Sequence, residues 1–509
     1  MPHIDKRRWI GSCLPSIDAH RFDHRPDGRS QTPGGPVSQS DSHSTPDQLP
    51  VVVIGAGPVG LAAAAHLLER GLETLVLESG DRVGAAVREW SHIRLFSPWR
   101  YNIDGAARRL LEATGWEEPR ATRLPSGGEL VADYLEPLAA TPPLRDRILP
   151  GARVVAVSRV GLDKTHAKGR DDRPFLVRTV VDGRVVDHHA RAVVDASGTW
   201  TRPNPLGLAG LPAPGEDSTD VAPFLLGALP DVLGRDRDRV AGRRVLVVGA
   251  GHSATNTLLN LVELARDEPD TRITWAIRGA SPERAFGGGD ADGLPARGQL
   301  GSRLRRAVEA GTVELVTSVT IGALEPHDGG GVAVVLEAAT GAGELNGSRQ
   351  LLVDAVAGAT GFRPDLDMLR ELRLGLDPGL EAPSELAPLI DPEFHSCGTV
   401  PAHGADVLAH PEAGFFVVGM KSYGRAPTFL LATGYEQVRS IGAHLAGDAE
   451  AAGNIELNLP ETGVCSSAAP EVDDEGQPVI AATGGGCCGP SEPQLIGIPT
   501  GLQHGRSGA

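Results

Sequence analysis

The stretch PVVVIGAGPVGLAAAAHLLERGLETLVLE, residues 50–78, decides the fold. An apolar run over Val51–Ile54 leads into Gly55, Gly57 and Gly60 in GxGxxG spacing, followed by an alanine-rich helical segment, a second apolar run from Thr74 to Leu77, and then Glu78. Each part has a physical task. The first glycine permits a tight turn, the second lets backbone approach a pyrophosphate at the helix N-terminus, and the third allows close packing of helix on strand. The acid at the end of the second strand suits a ribose hydroxyl. A glycine turn alone says little, but strand, helix and acid in register make a dinucleotide-binding βαβ unit. Gly55, Gly57, Pro58, Gly60 and Glu78 are its expected contacts.

The arrangement recurs about 194 residues later, where the apolar run RRVLVVG ends at Gly249 and GAGHSATNTLLNLVELA follows. Gly249 and Gly251 keep the spacing, and Ser253 and Ala254 stand where the third glycine would fall. Alanine is tolerated at that packing position. The next strand, TRITWAIR, ends in Arg278 instead of an acid. An arginine pairs with a 2′-phosphate that a carboxylate would repel, so NADPH is expected here over NADH. Arg284 is a weaker candidate for the same task.

Outward from these loops, short β-branched runs alternate with alanine- and leucine-rich segments, the pattern of α/β layers with parallel strands. The expected class is α/β, with two Rossmann-type domains and an antiparallel β-meander over 152–160, 175–181 and 184–188 laid on the first. We expect a disordered tail over 1–48, the first part of a dinucleotide-binding domain over 49–238, and an inserted NADPH-binding domain over 239–353. The chain is then expected to return to the first domain over 354–446, with the strand at Ala355, and to end in a flexible tail over 447–509. Both tails are rich in small and polar residues and lack hydrophobic periodicity.

With 509 residues and a net charge of −17, the chain lacks the basic face that nucleic acid or an anionic membrane would require. The stretch from Glu450 onward carries eight acids and the single Arg506, so −7 of that charge is peripheral. No apolar run reaches membrane-spanning length, and five cysteines in 509 residues fit a reducing cytoplasm. Only four lysines stand against forty-four arginines, which draws attention to Lys421.

Two further segments, Val194-DASGTWTRPNP and Asp354-AVAGATGFRPD, complete a resemblance. With the two loops they make the chain similar to the flavin-containing monooxygenase group and, more widely, to flavoproteins with two dinucleotide-binding domains, over about residues 49–446. The resemblance implies FAD at the first loop, NADPH at the second, and ATG-like links between the domains at Ala196, Gly198 and Thr199 and at Ala359, Thr360, Gly361 and Phe362. The chain resembles most the flavin monooxygenase-like proteins of bacterial arsenic-resistance operons. Two departures stand out. The FxGxxxH motif of well-studied flavin monooxygenases is replaced by VAPFLLGALPDVLG at 221–234, and no CxxC or CxxxxC lies near the loops.

The implied chemistry is reduction of FAD by NADPH, then oxygenation of a soft nucleophile (sulfur, nitrogen or trivalent arsenic) by molecular oxygen through a flavin hydroperoxide. Trp90, Phe96, Trp99 and Tyr101 cluster after the first loop and are candidates for a wall beside the flavin, with Trp90 as a cofactor contact. Asn102 is the candidate to hold the oxygenated cofactor. In the late segment FFVVGMKSYGR, from Phe415, Gly419 is expected at the flavin, with Lys421 or Arg425 as a cation for its reduced ring. Cys465, Cys487 and Cys488 form a candidate soft metal or metalloid site, since thiolates capture As(III) or Hg(II). His395, Cys397 and His403 match no common zinc spacing. Two alternatives stay open: an NADPH-dependent reductase of a thiol-bound metal or metalloid, and a cofactor-binding sensor or metalloid-sequestering protein with little turnover.

Overall fold

The computed structural model describes residues 48–287, 295–339, 349–392, 400–426 and 430–457. The first tail up to residue 47, the second beyond 457, His395 and all five cysteines lie outside these residues.

In chain order the strands are β1 (Val51–Ile54), β2 (Thr74–Leu77), β3 (Ile148–Leu149), the meander β4 (Arg153–Arg159), β5 (Phe175–Val181) and β6 (Arg184–Ala190), and β7 (Ala192–Asp195). There follow β8 (Leu225–Leu226), β9 (Arg244–Val248), β10 (Arg272–Ala276), β11 (Val313–Val316), a second meander of β12 (Val319–Pro326), β13 (Val332–Ala338) and β14 (Arg349–Val353), then β15 (Ala355–Gly358) and β16 (Phe415–Val417). A parallel sheet of order β16-β7-β1-β2-β3 and another of order β11-β10-β9-β15-β8 carry the two glycine loops. Each has an antiparallel three-stranded companion.

The inner strands β1, β7, β9 and β10 are buried on both faces, as expected of parallel sheets covered by helices. Helix α1 (Pro58–Glu69) follows β1, α2 (His252–Asp267) follows β9, and α3 (Leu431–Leu445) follows β16. The alanines 62–65 of α1 are almost completely buried. Their small side chains let α1 lie between the sheet and α3, where a methyl on Gly442 would touch His66 Cβ at 3.4 Å.

Three expectations change. Ala355–Gly358 does not rejoin the first sheet: β15 pairs in parallel with β9, so the return comes only at β16. The second sheet also reaches back to Leu225–Leu226, before the expected boundary at 238, because β8 pairs with β15. Short apolar strands buried on both faces carry no mark of which neighbour they take. Finally, the second tail does not begin at 447. Residues Ala449–Gly453 form a helical turn capped by Asp448 and tied to α3 through Arg439 and Ser440, which reach the carbonyls of Ala451 and Ala452.

Candidate cofactor site

The two glycine loops are built alike, bond for bond. The Gly55 N–H donates to Leu77 and the Gly249 N–H to Ala276; Ala196 donates to Ile54 and Ala359 to Val248; Glu78 donates to Leu149 and Ile277 to Val316. Gly55 and Gly249 hold φ +98° and +124°, a region L side chains rarely enter. Added Cβ atoms would lie 2.9 Å from the Ala196 carbonyl oxygen and 2.1 Å from that of Ala359. Each ATG-like segment therefore crosses its own domain's loop, at the carboxyl ends of the strands, where open α/β sheets receive ligands.

The residues present fit dinucleotides. Gly57 and Gly251 are the N-caps of α1 and α2, with Pro58 opening α1; neither helix has a side-chain cap bond or an acid in its first turn. Both N-termini thus keep unsatisfied N–H groups and positive dipole ends for a pyrophosphate. A Cβ on Gly57 or Gly251 would meet nothing within 4 Å, so there is room for one. Ser253 lies in the first turn of α2 and Ala254 is fully buried.

Glu78 braces the first loop. Its carboxylate accepts the N–H of Ala56 at 2.7 Å and of Gly80 at 2.7 Å, and lone pairs remain for a ribose hydroxyl. In the second loop the same register position is Ile277, not Arg278: Ala276 stands opposite Val248 as Leu77 stands opposite Ile54. Arg278 lies one residue further out, exposed and without an ion pair among the described residues. Arg284 is also exposed.

The ATG-like segments also clasp each other. Asn204 N–H donates to Gly361, the Thr360 hydroxyl donates to the Asn204 carbonyl at 2.6 Å, and Trp200 stacks on Phe362 with centroids 5.1 Å apart. Gly198 and Gly361 adopt φ +70° and +89° there. On the other side, Phe96 of the first domain packs on His252 at the start of α2.

Lys421 is placed differently from the expectation of a free cation. Its Nζ lies 2.6 Å from Asp195 Oδ2 and 3.1 Å from the Ser197 hydroxyl, with both charged side chains fully buried. Its charge is therefore neutralised at the end of β7. Asn102 is spent as well. Its Nδ2 donates to the carbonyls of Ser97 and Pro98, and its Oδ1 accepts from the Ser97 hydroxyl at 2.8 Å. This amide fastens a turn and has no N–H left for an oxygenated cofactor. Trp99 is core, fully buried, and Trp90 packs over Gly127, where an added Cβ would fall 2.7 Å from its ring.

Gly419, at φ +66°, sits against Val59 of α1 and donates its N–H to Gln437 at 2.8 Å. Gln437 in turn donates to His403 Nε2, whose pKa burial pushes below the usual imidazole range. Among the described residues, no group of three or more His, Cys, Asp or Glu side chains is arranged to hold a metal. The features missed from sequence are Asp195 and Ser197 as partners of Lys421, and Trp275, whose Nε1 donates to the Gly249 carbonyl at 2.7 Å. The acid ending VVD was a visible signal for the first; the indole had none.

Duplicated, uncapped glycine loops joined by a clasp define a two-domain flavoprotein oxidoreductase that binds FAD and a nicotinamide dinucleotide. The chain belongs to the pyridine nucleotide-disulphide oxidoreductase family, which it matches over residues 52–396. That stretch contains no cysteine. Similar solved structures include bacillithiol disulfide reductase Bdr from Bacillus cereus (20% identity, TM-score 0.55, 78% of this chain and 99% of that one). The FAD-bound cadaverine monooxygenase DfoA from Erwinia amylovora has 13% identity and a TM-score of 0.54, covering 81% of this chain and 97% of that one. At these identities the likeness is one of fold. Among curated proteins, anon-37Cs of Drosophila lebanonensis is 40% identical over 80 residues, covering 14% of this chain and 15% of that protein. Lysine-specific histone demethylase 1 homolog 3 of Arabidopsis thaliana is 54% identical over 41 residues, 8% of this chain and 2% of its own length.

Proposed function

We propose that the chain takes electrons from NADPH into FAD and uses molecular oxygen to oxygenate a soft nucleophile, a sulfur, nitrogen or trivalent arsenic centre on a small molecule. The observation that carries the two-cofactor part is the repeated loop with both helix N-termini left uncapped. Bound FAD supplies hydride acceptance and the oxygen chemistry; the protein positions its partners and controls charge. Gly57 and Gly251 admit the pyrophosphates. Glu78 holds a ribose hydroxyl while keeping the first loop in shape. Ile277 in the acid's register leaves a 2′-phosphate unopposed, and the exposed Arg278 is its counter-charge. Lys421, neutralised by Asp195, fixes the first ATG-like turn, a positioning role.

The absence of cysteine between residues 52 and 396 supports oxygen over a flavin-proximal thiol relay as electron acceptor. Work in the cytoplasm fits this low cysteine content, and among the described residues no helix is long and apolar enough to cross a membrane. The test follows NADPH and oxygen consumption by the FAD-loaded protein with arsenite or low-molecular-weight thiols. Oxygen uptake coupled to substrate is the expected result. Oxygen-independent reduction of a thiol-bound metalloid would replace this reading with a reductase, and turnover in neither assay would replace it with a sensor.

A further inference from the structure

Beside the clasp, residues Leu206–Ala213 form a closed loop. The Glu216 carboxylate accepts the N–H groups of Leu206 and Ala213, each at 2.8 Å, so both ends of the loop are drawn to one side chain. At its tip Ala209 holds φ +59°, an unfavourable conformation for a residue with a Cβ. The tip turns two large apolar side chains outward, Leu208 at 48% and Leu211 at 65% exposure.

Two arginines converge on this tip. Arg363, five residues beyond β15, donates from Nη2 to the Gly210 carbonyl at 3.1 Å and from Nε to the Asn204 side chain at 3.2 Å. Arg425, beyond β16, is exposed. A methyl placed on Gly210 would lie 3.4 Å from Arg363 Nη2 and 3.8 Å from Arg425 Nη2, so both guanidinium groups face the same point. Neither makes an ion pair with a carboxylate among the described residues. Other arginines of the chain also lack an ion pair, Arg278 among them, but these two converge on one backbone turn.

We propose that Arg363 and Arg425 form an anion clamp for the substrate, with Leu208 and Leu211 covering its apolar part. The clamp stands beside the clasp of the two ATG-like segments, since Arg363 and Thr360 both bond Asn204. This deepens the proposed function and rests on it for the word substrate. It selects a nucleophile carried on a molecule with a carboxylate or phosphate and a hydrocarbon stretch, and it disfavours uncharged arsenous acid. The cofactor's phosphates have other places, at the helix N-termini and Arg278.

The experiment measures equilibrium binding to the full-length, FAD-loaded protein by calorimetry, with octanoate, octanol, inorganic phosphate and NADPH as probes. Wild type is compared with Arg363→Gln, Arg425→Gln and Leu208→Ser/Leu211→Ser. Losing one charge-assisted contact should raise the octanoate Kd about tenfold, the equivalent of about 1.4 kcal/mol, in each arginine variant. Octanol should bind all of these proteins except the leucine variant equally, NADPH should be indifferent to all the changes, and phosphate should respond to the arginines alone. An octanoate Kd unchanged in both arginine variants overturns the clamp. An NADPH Kd raised as much as that of octanoate overturns its assignment to substrate. Arg425 makes no side-chain bond that its fold needs, so its variant tests charge without a folding defect. If NADPH fails to reduce the bound flavin while octanoate binding still depends on the arginines, the oxidoreductase reading fails and the anion site stands as a site without that role.

Discussion

The first and second glycine loops share their backbone hydrogen bonds and, besides Glu78 against Ile277, differ at three positions that finish them. In the first, a Cβ on Gly60 would lie 1.9 Å from the Gly55 carbonyl oxygen, so nothing larger than glycine fits. The second has Ala254 in that place, fully buried, while the Gly249 carbonyl is held by the Trp275 indole. Trp275 stands opposite Val247 as Val76 stands opposite Val53, so the indole occupies the position of a valine in the first unit. The third difference lies at the ends of β7 and β15, which face Ile54 and Val248: the first carries Asp195, bound to Lys421, and the second Gly358. Under the proposed function this one backbone plan serves two cofactors, FAD at the acid-braced loop and NADPH at the acid-free one.

The largest effect is expected from Lys421→Met. It leaves Asp195 buried and unpaired, which costs roughly 3–5 kcal/mol, and urea unfolding should show it; no equivalent residue exists in the second unit to give a matching loss. Next comes Gly60→Ala. Backbone must shift to admit the methyl, an overpacking cost of about 1–3 kcal/mol, and the purified protein should carry much less FAD per chain by absorbance. The mirror change, Ala254→Gly, should cost only about 0.5–1 kcal/mol of helix stability and leave NADPH binding intact. If both variants lost cofactor equally, the contrast between the loops would be void.

Trp275→Phe sharpens the contrast from the other side. It removes the indole N–H that the Gly249 carbonyl accepts, at a cost of about 1–3 kcal/mol, and should weaken NADPH while leaving FAD content unchanged. Arg278→Ala should raise the Michaelis constant for NADPH about tenfold, or about 1.4 kcal/mol, with little change for NADH. Equal changes for both nucleotides would place the 2′-phosphate elsewhere, Arg284 being the first alternative.

Both βαβ units were legible in the sequence because glycine spacing, strand and helix are local signals that sterics impose directly. The meander of the first domain was legible too, through alternation and the Asp182-Gly183 turn. What sequence did not disclose is pairing over distance. The apolar run at Ala355 is as suitable for one sheet as for the other, and Val332–Leu336 reads as a strand without revealing that it is the centre of a second meander. The side-chain roles that changed have the same origin. A lysine near a glycine turn looks like a solvated or cofactor-facing cation until the fold brings Asp195 to it from 226 positions earlier. Asn102 looked available because its partners, carbonyls four and five residues back, depend on a turn that sequence does not display. The doubling of the hydrogen-bond plan was hidden for the reverse reason, since backbone contacts repeat without repeating side chains.

The central claim is that the first loop holds FAD and the second delivers electrons from NADPH. Its most direct test is anaerobic rapid mixing of the FAD-loaded protein with NADPH or NADH while flavin absorbance is followed. The account predicts bleaching by NADPH at a rate that saturates with its concentration, with NADH less effective and the advantage lost in Arg278→Ala. Stably bound FAD that neither nucleotide bleaches would contradict it.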